Sequence, residues 1–167
     1  MPEKQTLQRA RRDKREGKAS STQAGEFVRE EMEHIREGKH GARSAKQAIA
    51  IGLSKARRAG VDLAPPKSGT TSAATRRKAE QDLKAGDRPA AKKISRTRSR
   101  ATTKALEREG TAAASKQALS RQTTSAARKR SAADRSTAAK KAARTKGAGG
   151  RSTAAKKAAR TRARRSS

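Results

Sequence analysis

The sequence contains no cysteine, no tryptophan and no tyrosine, and Phe27 is its only phenylalanine. The absence of cysteine excludes a disulfide scaffold, a Cys-ligated zinc finger and thiol catalysis. With one aromatic ring, the chain also lacks the stacking surface on which many nucleic-acid-binding modules hold single-stranded bases. No run of ten consecutive apolar residues occurs. We therefore expect no membrane span and no signal peptide, and we expect a cytoplasmic protein.

Large apolar side chains are scarce as well. Leu, Ile, Val and Phe together number 13 of 167 residues, whereas alanine alone contributes 36. Highly charged chains with less than about 20 % of these four residues are expected to be disordered, because they bury too little apolar surface to offset the ordering entropy. The composition predicts a mostly α and largely disordered chain, in which a short helical hairpin precedes a long basic tail with weak helices. It does not predict an enzyme: no catalytic residue, cofactor or metal site is expected.

Positive charge dominates the sequence and is distributed unevenly. The chain has 45 Lys and Arg against 15 Asp and Glu, a net charge of +30. Residues 1–65 have a net charge of +6, and residues 66–167 have a net charge of +24. So large an excess indicates a polyanionic partner. We divide the chain at Pro65 and Pro66 and at changes in composition, into a charged N-terminal segment (1–19), a helical hairpin (20–64), a basic linker with weak helices (65–110) and an Ala/Lys/Arg-rich repeat tail (111–167).

Two amphipathic helices are predicted in the hairpin. Ser20 and Gln23 have the spacing of an N-terminal capping box, and Ser44 and Gln47 repeat it. Gly60 is suited to end the second helix in a left-handed conformation. Apolar positions recur at three- and four-residue steps, at Ala24, Phe27, Val28, Met32 and Ile35 and then at Ala45, Ala48, Ile49, Gly52, Leu53 and Ala56. The short connection favours an antiparallel pair.

This hairpin is too small to be stable without further contacts, so we expect self-association through residues 20–60 or a partner. Residues 2–16 are suited to a charged helix that has Leu7 as its anchor. Weak helices are predicted at about 72–85, 95–109 and 112–130. A helix-turn-helix with residues 44–58 as the recognition helix is less favoured, because no third supporting helix is predicted and few side chains on that segment reach base edges.

The end of the chain contains an unchanged repeat. The eleven residues 135–145 recur at 151–161, and a glycine-rich spacer separates the two copies. Like charges at helical spacing repel one another, so we expect this tail to be disordered in water and helical on phosphates. The residues predicted to bind phosphate are Arg57, Arg58, Arg128, Lys129, Arg130, Lys140, Lys141, Arg144, Lys156, Lys157, Arg160, Arg162, Arg164 and Arg165.

One group of residues has the composition of a metal site. Glu30, Glu33, His34 and Glu37 lie close together on the first predicted helix, with His40 nearby. We interpret them as the exposed acidic face of an ordinary helix, which is the commoner role of such a group. No metal site is predicted there.

Two parts of the sequence resemble known proteins. The repeated Ala-Ala-Lys-Lys-Ala-Ala of residues 111–167 resembles the tails of linker histones and of lysine- and alanine-rich histone-like proteins of bacteria. The stretch from Arg36 to Gly60, REGKHGARSAKQAIAIGLSKARRAG, resembles a family of small, uncharacterised basic bacterial proteins that are commonly described as DNA-binding. With its flanks this resemblance covers about residues 20–66. It implies a cytoplasmic, nucleoid-associated protein and supplies no catalytic residues.

These observations predict a non-enzymatic protein that binds and compacts DNA through phosphate contacts, largely independent of sequence. Two alternatives stay open. An RNA-binding or ribosome-associated protein would use the same charges, and an adaptor would dock a protein partner through its hairpin.

Overall fold

The computed structural model describes residues 2–87 and 95–166, and at residues 146, 165 and 166 it describes the backbone alone. It is helical. The helices are α1 (Lys4–Arg15), α2 (Ser20–Arg36), α3 (Ala45–Arg58), α4 (Ala73–Gly86), α5 (Arg96–Glu107), α6 (Lys116–Arg128) and α7 (Ala132–Ser166), and a 3-10 turn (Thr111–Ala114) precedes α6. The chain divides into two compact units. The packed unit ends at Gln122, and the tail unit begins at Thr123.

The predicted largely disordered chain is wrong, because helices occupy most of the described residues. Two physical effects account for the difference. Alanine has the highest helix propensity of all residues, and the tail is rich in it. In the packed unit, alanines and one glycine let the helices approach closely, so that a small number of large apolar side chains is enough to form a core.

The hairpin of α2 and α3 has the helices that the periodicity predicts. At the start of α3, Ser44 Oγ accepts a hydrogen bond from the Gln47 amide at 3.2 Å, which confirms the predicted cap. Gly60 has a φ of +85° after α3 and confirms the predicted helix end. The capping box predicted at Ser20 is wrong: Ala19 is the N-cap of α2, and the Gln23 side chain donates to the Lys18 carbonyl at 2.9 Å.

The core consists of two clusters that are built largely from alanine. One surrounds Phe27, which is fully buried, and contains Ala10, Ala24, Ala56 and Val61. The other contains Met32, Ile35, Ala42, Ala48, Ala113 and Ala114. Gly52 of α3 lies against the backbone of α2, where an added Cβ would be 2.7 Å from Val28 Cα. Small side chains therefore replace large ones as the means of close packing.

Segments outside the hairpin complete this core. The predicted N-terminal helix is confirmed as α1, and it packs on α2. Part of the predicted linker forms α4 on α3, where buried Asp82 accepts a hydrogen bond from Ser54 Oγ at 2.6 Å. The 3-10 turn packs on α2, and Arg36 Nε donates to the Ala114 carbonyl at 3.0 Å. These intramolecular contacts stabilise the hairpin, and its self-association stays a prediction.

The tail unit contains one long helix with a break. Ser131 Oγ accepts from the Asp134 amide at 3.0 Å and donates to the Asp134 carboxylate at 2.8 Å, which fixes the start of α7. At Gly147 the backbone leaves the helical conformation, with a φ of 64° and a ψ of 176°. Arg151 Nη1 donates to the Ala143 carbonyl at 2.7 Å across this break. The first helical half of α7 thereby gains a partner for one of its terminal carbonyls.

Candidate nucleic-acid interface

The cations of the first repeat lie on one side of α7. At about 100° per residue, Lys140, Lys141 and Arg144 fall within an arc of roughly 100°. Ala138, Ala139 and Ala142 occupy the opposite side. All three cations are exposed. The helix therefore has one cationic face and one alanine face. This division follows from the spacing of the residues in the sequence once the segment is helical.

The second repeat reproduces this arrangement. Lys156, Lys157 and Arg160 form the same exposed arc, and Arg164 lies on that side one turn later. Arg162 is exposed on the other side of the helix. Arg165 belongs to α7 by its backbone, and its side chain lies outside the described ones.

The repeats also share their internal hydrogen bonds. The hydroxyl groups of Thr137 and Thr153 each donate to the carbonyl four residues earlier at 3.0 Å. Thr145 and Thr161 do the same at 3.0 Å. Because the threonine hydroxyls are bonded to backbone, lysine and arginine carry the polar chemistry of the exposed surface.

Three further predicted residues precede α7. Arg128 is the last residue of α6, and Lys129 and Arg130 follow in the turn. All three are exposed. They extend the cationic surface of the tail unit toward its N-terminal end.

Arg57 and Arg58 have different environments although they are adjacent. Arg57 is 6 % exposed, and its guanidinium donates to the carbonyls of Leu63 and Ala64 at 3.0 and 3.3 Å. Burial lowers the pKa of Arg57, and the charge of Asp82 opposes that shift. Its donors thus hold the chain after α3, so we leave Arg57 out of the interface. Arg58 is exposed.

The tail unit has the charge that polyanion binding requires. Residues 123–167 contain 15 Lys and Arg and a single acid, Asp134, which the Ser131 cap uses. Exposed ammonium and guanidinium groups bind phosphate oxygens well, and the guanidinium does so with two donors at once. The arrangement is suited to binding a phosphate backbone.

The alternative recognition helix, residues 44–58, corresponds to α3 with its N-cap. The structure supplies supporting helices, since α1 packs on α2 and α4 packs on α3. The fully exposed positions of α3 are limited to Lys46, Ala50 and Arg58. Two cations and a methyl group offer little readout of base edges. The tail unit therefore remains the stronger candidate interface.

The expectation of an exposed acidic face on α2 is wrong for part of the helix. Glu33 and Glu37 face solvent, where Glu33 pairs with Arg29. Glu30 is 1 % exposed and Glu31 is 0 % exposed, and both lie near the ammonium of Lys55 on α3. Sequence reasoning missed this burial because the apolar stripe of α2 does not reveal that a second helix covers its flank.

Within the part of the chain that the structure describes, no helix is both long and apolar enough to cross a membrane. Comparison of the whole chain with curated proteins and with solved structures gives no match. Residues 4–68, which contain α1, α2 and α3, match a family of unknown function (DUF6496).

Proposed function

We propose that this chain is a non-enzymatic nucleic-acid-binding protein whose α7 binds the phosphate backbone, largely independent of sequence, and compacts DNA. The observation that carries the proposal is the exposed cationic arc, which occurs twice on α7 in identical repeats. A solubilising surface needs charge but no such repeated arrangement. Phosphate binding benefits from it, because each half of α7 then presents several donors to one strand.

The break at Gly147 supports binding to more than one site. Equivalent residues of the two repeats are sixteen positions apart, so a continuous helix would turn the two cationic arcs about 160° away from each other. At Gly147 the backbone is not helical, so the second arc does not keep that relation to the first. Arcs on two separate helical halves can contact separate phosphate strands, which is what cross-linking and compaction of duplexes require.

The target in this proposal is DNA, and the predicted location is the nucleoid. Both follow from the resemblance to histone-like tails and to basic bacterial proteins described as DNA-binding. RNA remains the alternative polyanion, since phosphate contacts are common to both. Competition between duplex DNA and structured RNA distinguishes them, and microscopy of a fluorescent fusion tests the location.

The proposal is tested by fluorescence anisotropy with two unrelated 20-base-pair duplexes between 50 and 400 mM salt. The test variant replaces six cations of the α7 arcs with glutamine: Lys140, Lys141, Arg144, Lys156, Lys157 and Arg160. The control variant removes the same charge from exposed residues of the packed unit: Arg11, Lys14, Arg15, Lys46, Lys67 and Arg77. Glutamine keeps a good helix propensity, so folding should persist in both variants.

We expect equal affinity for both duplexes and a steep salt dependence in the wild type. If all six α7 cations contact phosphate, their replacement lowers the slope of log K against log salt by about 5, at roughly 0.9 per phosphate contact. The control variant should retain most of the slope. An equal decrease of this slope in both variants would mean that α7 contributes only its net charge to binding. Complete displacement by RNA would make RNA the target.

A further inference from the structure

Three potential metal ligands meet where α2 ends and the chain turns toward α3. Glu31 and His34 lie on α2, and His40 lies in the turn that follows. Each residue offers one ligand atom, and these three atoms lie within 4.8 Å of one another. Glu31 Oε1 and His40 Nε2 are 3.4 Å apart. Two ligands that are 2.0–2.1 Å from a tetrahedral metal are about 3.4 Å apart, so this separation already suits a shared ion.

The carboxylate of Glu31 is short of partners. Its side chain is 0 % exposed, and its Oε1 accepts no hydrogen bond. The Lys55 ammonium lies 2.5 Å from Oε2 as an ion pair, which leaves Oε1 directed at the His40 ring. A buried carboxylate oxygen without a hydrogen bond is costly, and coordination of a cation is one of the ways in which proteins satisfy it.

In each histidine, one ring nitrogen lies within hydrogen-bond distance of an oxygen that can only accept a hydrogen bond. His40 Nδ1 is 3.1 Å from the Gly41 carbonyl oxygen, and His34 Nε2 is 2.8 Å from Glu3 Oε1. In the neutral rings these shorter contacts place the hydrogen on His40 Nδ1 and His34 Nε2. The lone pair is then on His34 Nδ1 and on His40 Nε2, which lies 3.4 Å from Glu31 Oε1. A carboxylate or a carbonyl behind the ring is the usual surrounding of a metal-ligating histidine.

The local charge also favours a cation. Glu30 and Glu31 are both buried, and Lys55 is the cation that pairs with them, at 3.7 and 2.5 Å. Two carboxylates against one ammonium leave an excess negative charge inside a protein whose overall charge is +30. A dication at Glu31 would neutralise that excess where the field is least screened.

We propose that Glu31, His34 and His40 bind a first-row transition-metal dication, with zinc the best fit. Two imidazoles and one carboxylate suit zinc, whereas magnesium and calcium prefer oxygen ligands alone. Glu3 orients His34 and the Gly41 carbonyl orients His40. The metal ties the last turns of α2 to the turn before α3 within the packed unit. Its three ligands are not among the residues proposed to bind phosphate.

The test is a titration of the full-length protein with Co²⁺, followed by its visible d–d absorption and by competition with Zn²⁺. We expect one equivalent to bind. His34→Ala and His40→Ala should weaken binding by well over tenfold, and Glu3→Gln should weaken it about tenfold. Glu33→Gln and Glu37→Gln remove exposed carboxylates near the site and should leave binding unchanged.

A second measurement needs no variant. The sequence has two histidines, so the ring ¹⁵N resonances of the wild type report on this site alone. One nitrogen of each ring should shift on addition of Zn²⁺ and stay unchanged on addition of Mg²⁺. The absence of a saturable signal, or binding that persists after replacement of either histidine, would overturn the site. The contact between His40 and Glu31 would then hold without an ion between them.

Discussion

The packed unit and the tail unit are both helical, and different forces make them so. In the packed unit, α1, α3 and the 3-10 turn pack on α2, and Phe27 and Ile35 are completely buried. This unit also has 14 acidic residues that can pair with its cations. In the tail unit, α7 is exposed along its described side chains apart from a half-buried Ala143, and a single acid accompanies 15 basic residues. The first unit depends on tertiary contacts and the second on alanine propensity and local caps. A chain that leaves a helix uncovered and cationic keeps that helix available for a partner.

The largest expected effect is a loss of stability that is confined to the packed unit. Phe27→Ala removes the centre of one core cluster and should lower the free energy of unfolding by about 3–5 kcal/mol. The helical signal of α7 should persist, because α7 does not depend on that cluster. Urea denaturation followed by circular dichroism measures both. Leu106→Ala on α5, a helix without buried residues, is the control and should cost less than about 1 kcal/mol. Simultaneous loss of the helical signal of both units would refute the comparison.

The second effect concerns buried charge, which distinguishes the packed unit further. Lys55→Met leaves Glu30 and Glu31 buried without their cation and should cost about 3 kcal/mol, the lower end for a broken buried pair because Lys55 is 24 % exposed. Arg29→Met breaks the exposed pair with Glu33 and should cost about 0–1 kcal/mol. Thermal unfolding of the two variants measures the difference. Equal costs would contradict the burial of the two carboxylates.

The third effect tests close packing of helices against intrinsic propensity. Gly52→Ala places a Cβ against the α2 backbone and should destabilise the protein by about 1–3 kcal/mol. Gly25→Ala, in the interior of α2 with open space around it, should stabilise by about 0.5–1 kcal/mol. Chemical denaturation of both variants measures the two signs. Stabilisation by both replacements would show that α3 does not lie against the α2 backbone at Gly52.

The smallest effect is local to α7. The positive φ of Gly147 would cost an alanine at this position about 1–2 kcal/mol. Gly147→Ala should therefore favour a continuous helix. The helical signal should rise slightly. Spin labels at Ser136→Cys and Ser152→Cys should give a label distance near the roughly 24 Å that sixteen residues span in a straight helix. An unchanged distance distribution would indicate that residues other than Gly147 cause the break.

Local features of the fold were predictable from the sequence. Weak helices predicted at about 72–85, 95–109 and 112–130 correspond to α4, to α5 and to the 3-10 turn with α6. Helical periodicity, Ser44 as a cap and Gly60 as a helix end all act within a few residues, so the sequence shows them directly. The sequence predicts a disordered tail, and α7 is helical instead. Alanine propensity and the Ser131 and Arg151 caps outweigh the repulsion between the cations.

The cationic residues of the candidate interface are a prediction from the sequence, and burial removes Arg57 from that set. Arg57 and Arg58 are adjacent residues of the same type, so the sequence does not distinguish them. In the fold, Arg57 donates to the carbonyls that follow α3, and Arg58 lies on the surface. The same holds for Glu31, whose neighbours Lys55 and His40 come from α3 and from the turn.

The sequence by itself determined which segments of the packed unit are helical, where α3 begins and ends, and that the end of the chain is an exposed polycation. Propensity, capping and net charge are local or additive properties. The tertiary structure alone decided which charges are buried, how alanine-rich helices form a core, and that Glu31 meets both histidines. Such contacts join residues from different segments, and packing of the helices sets their distances.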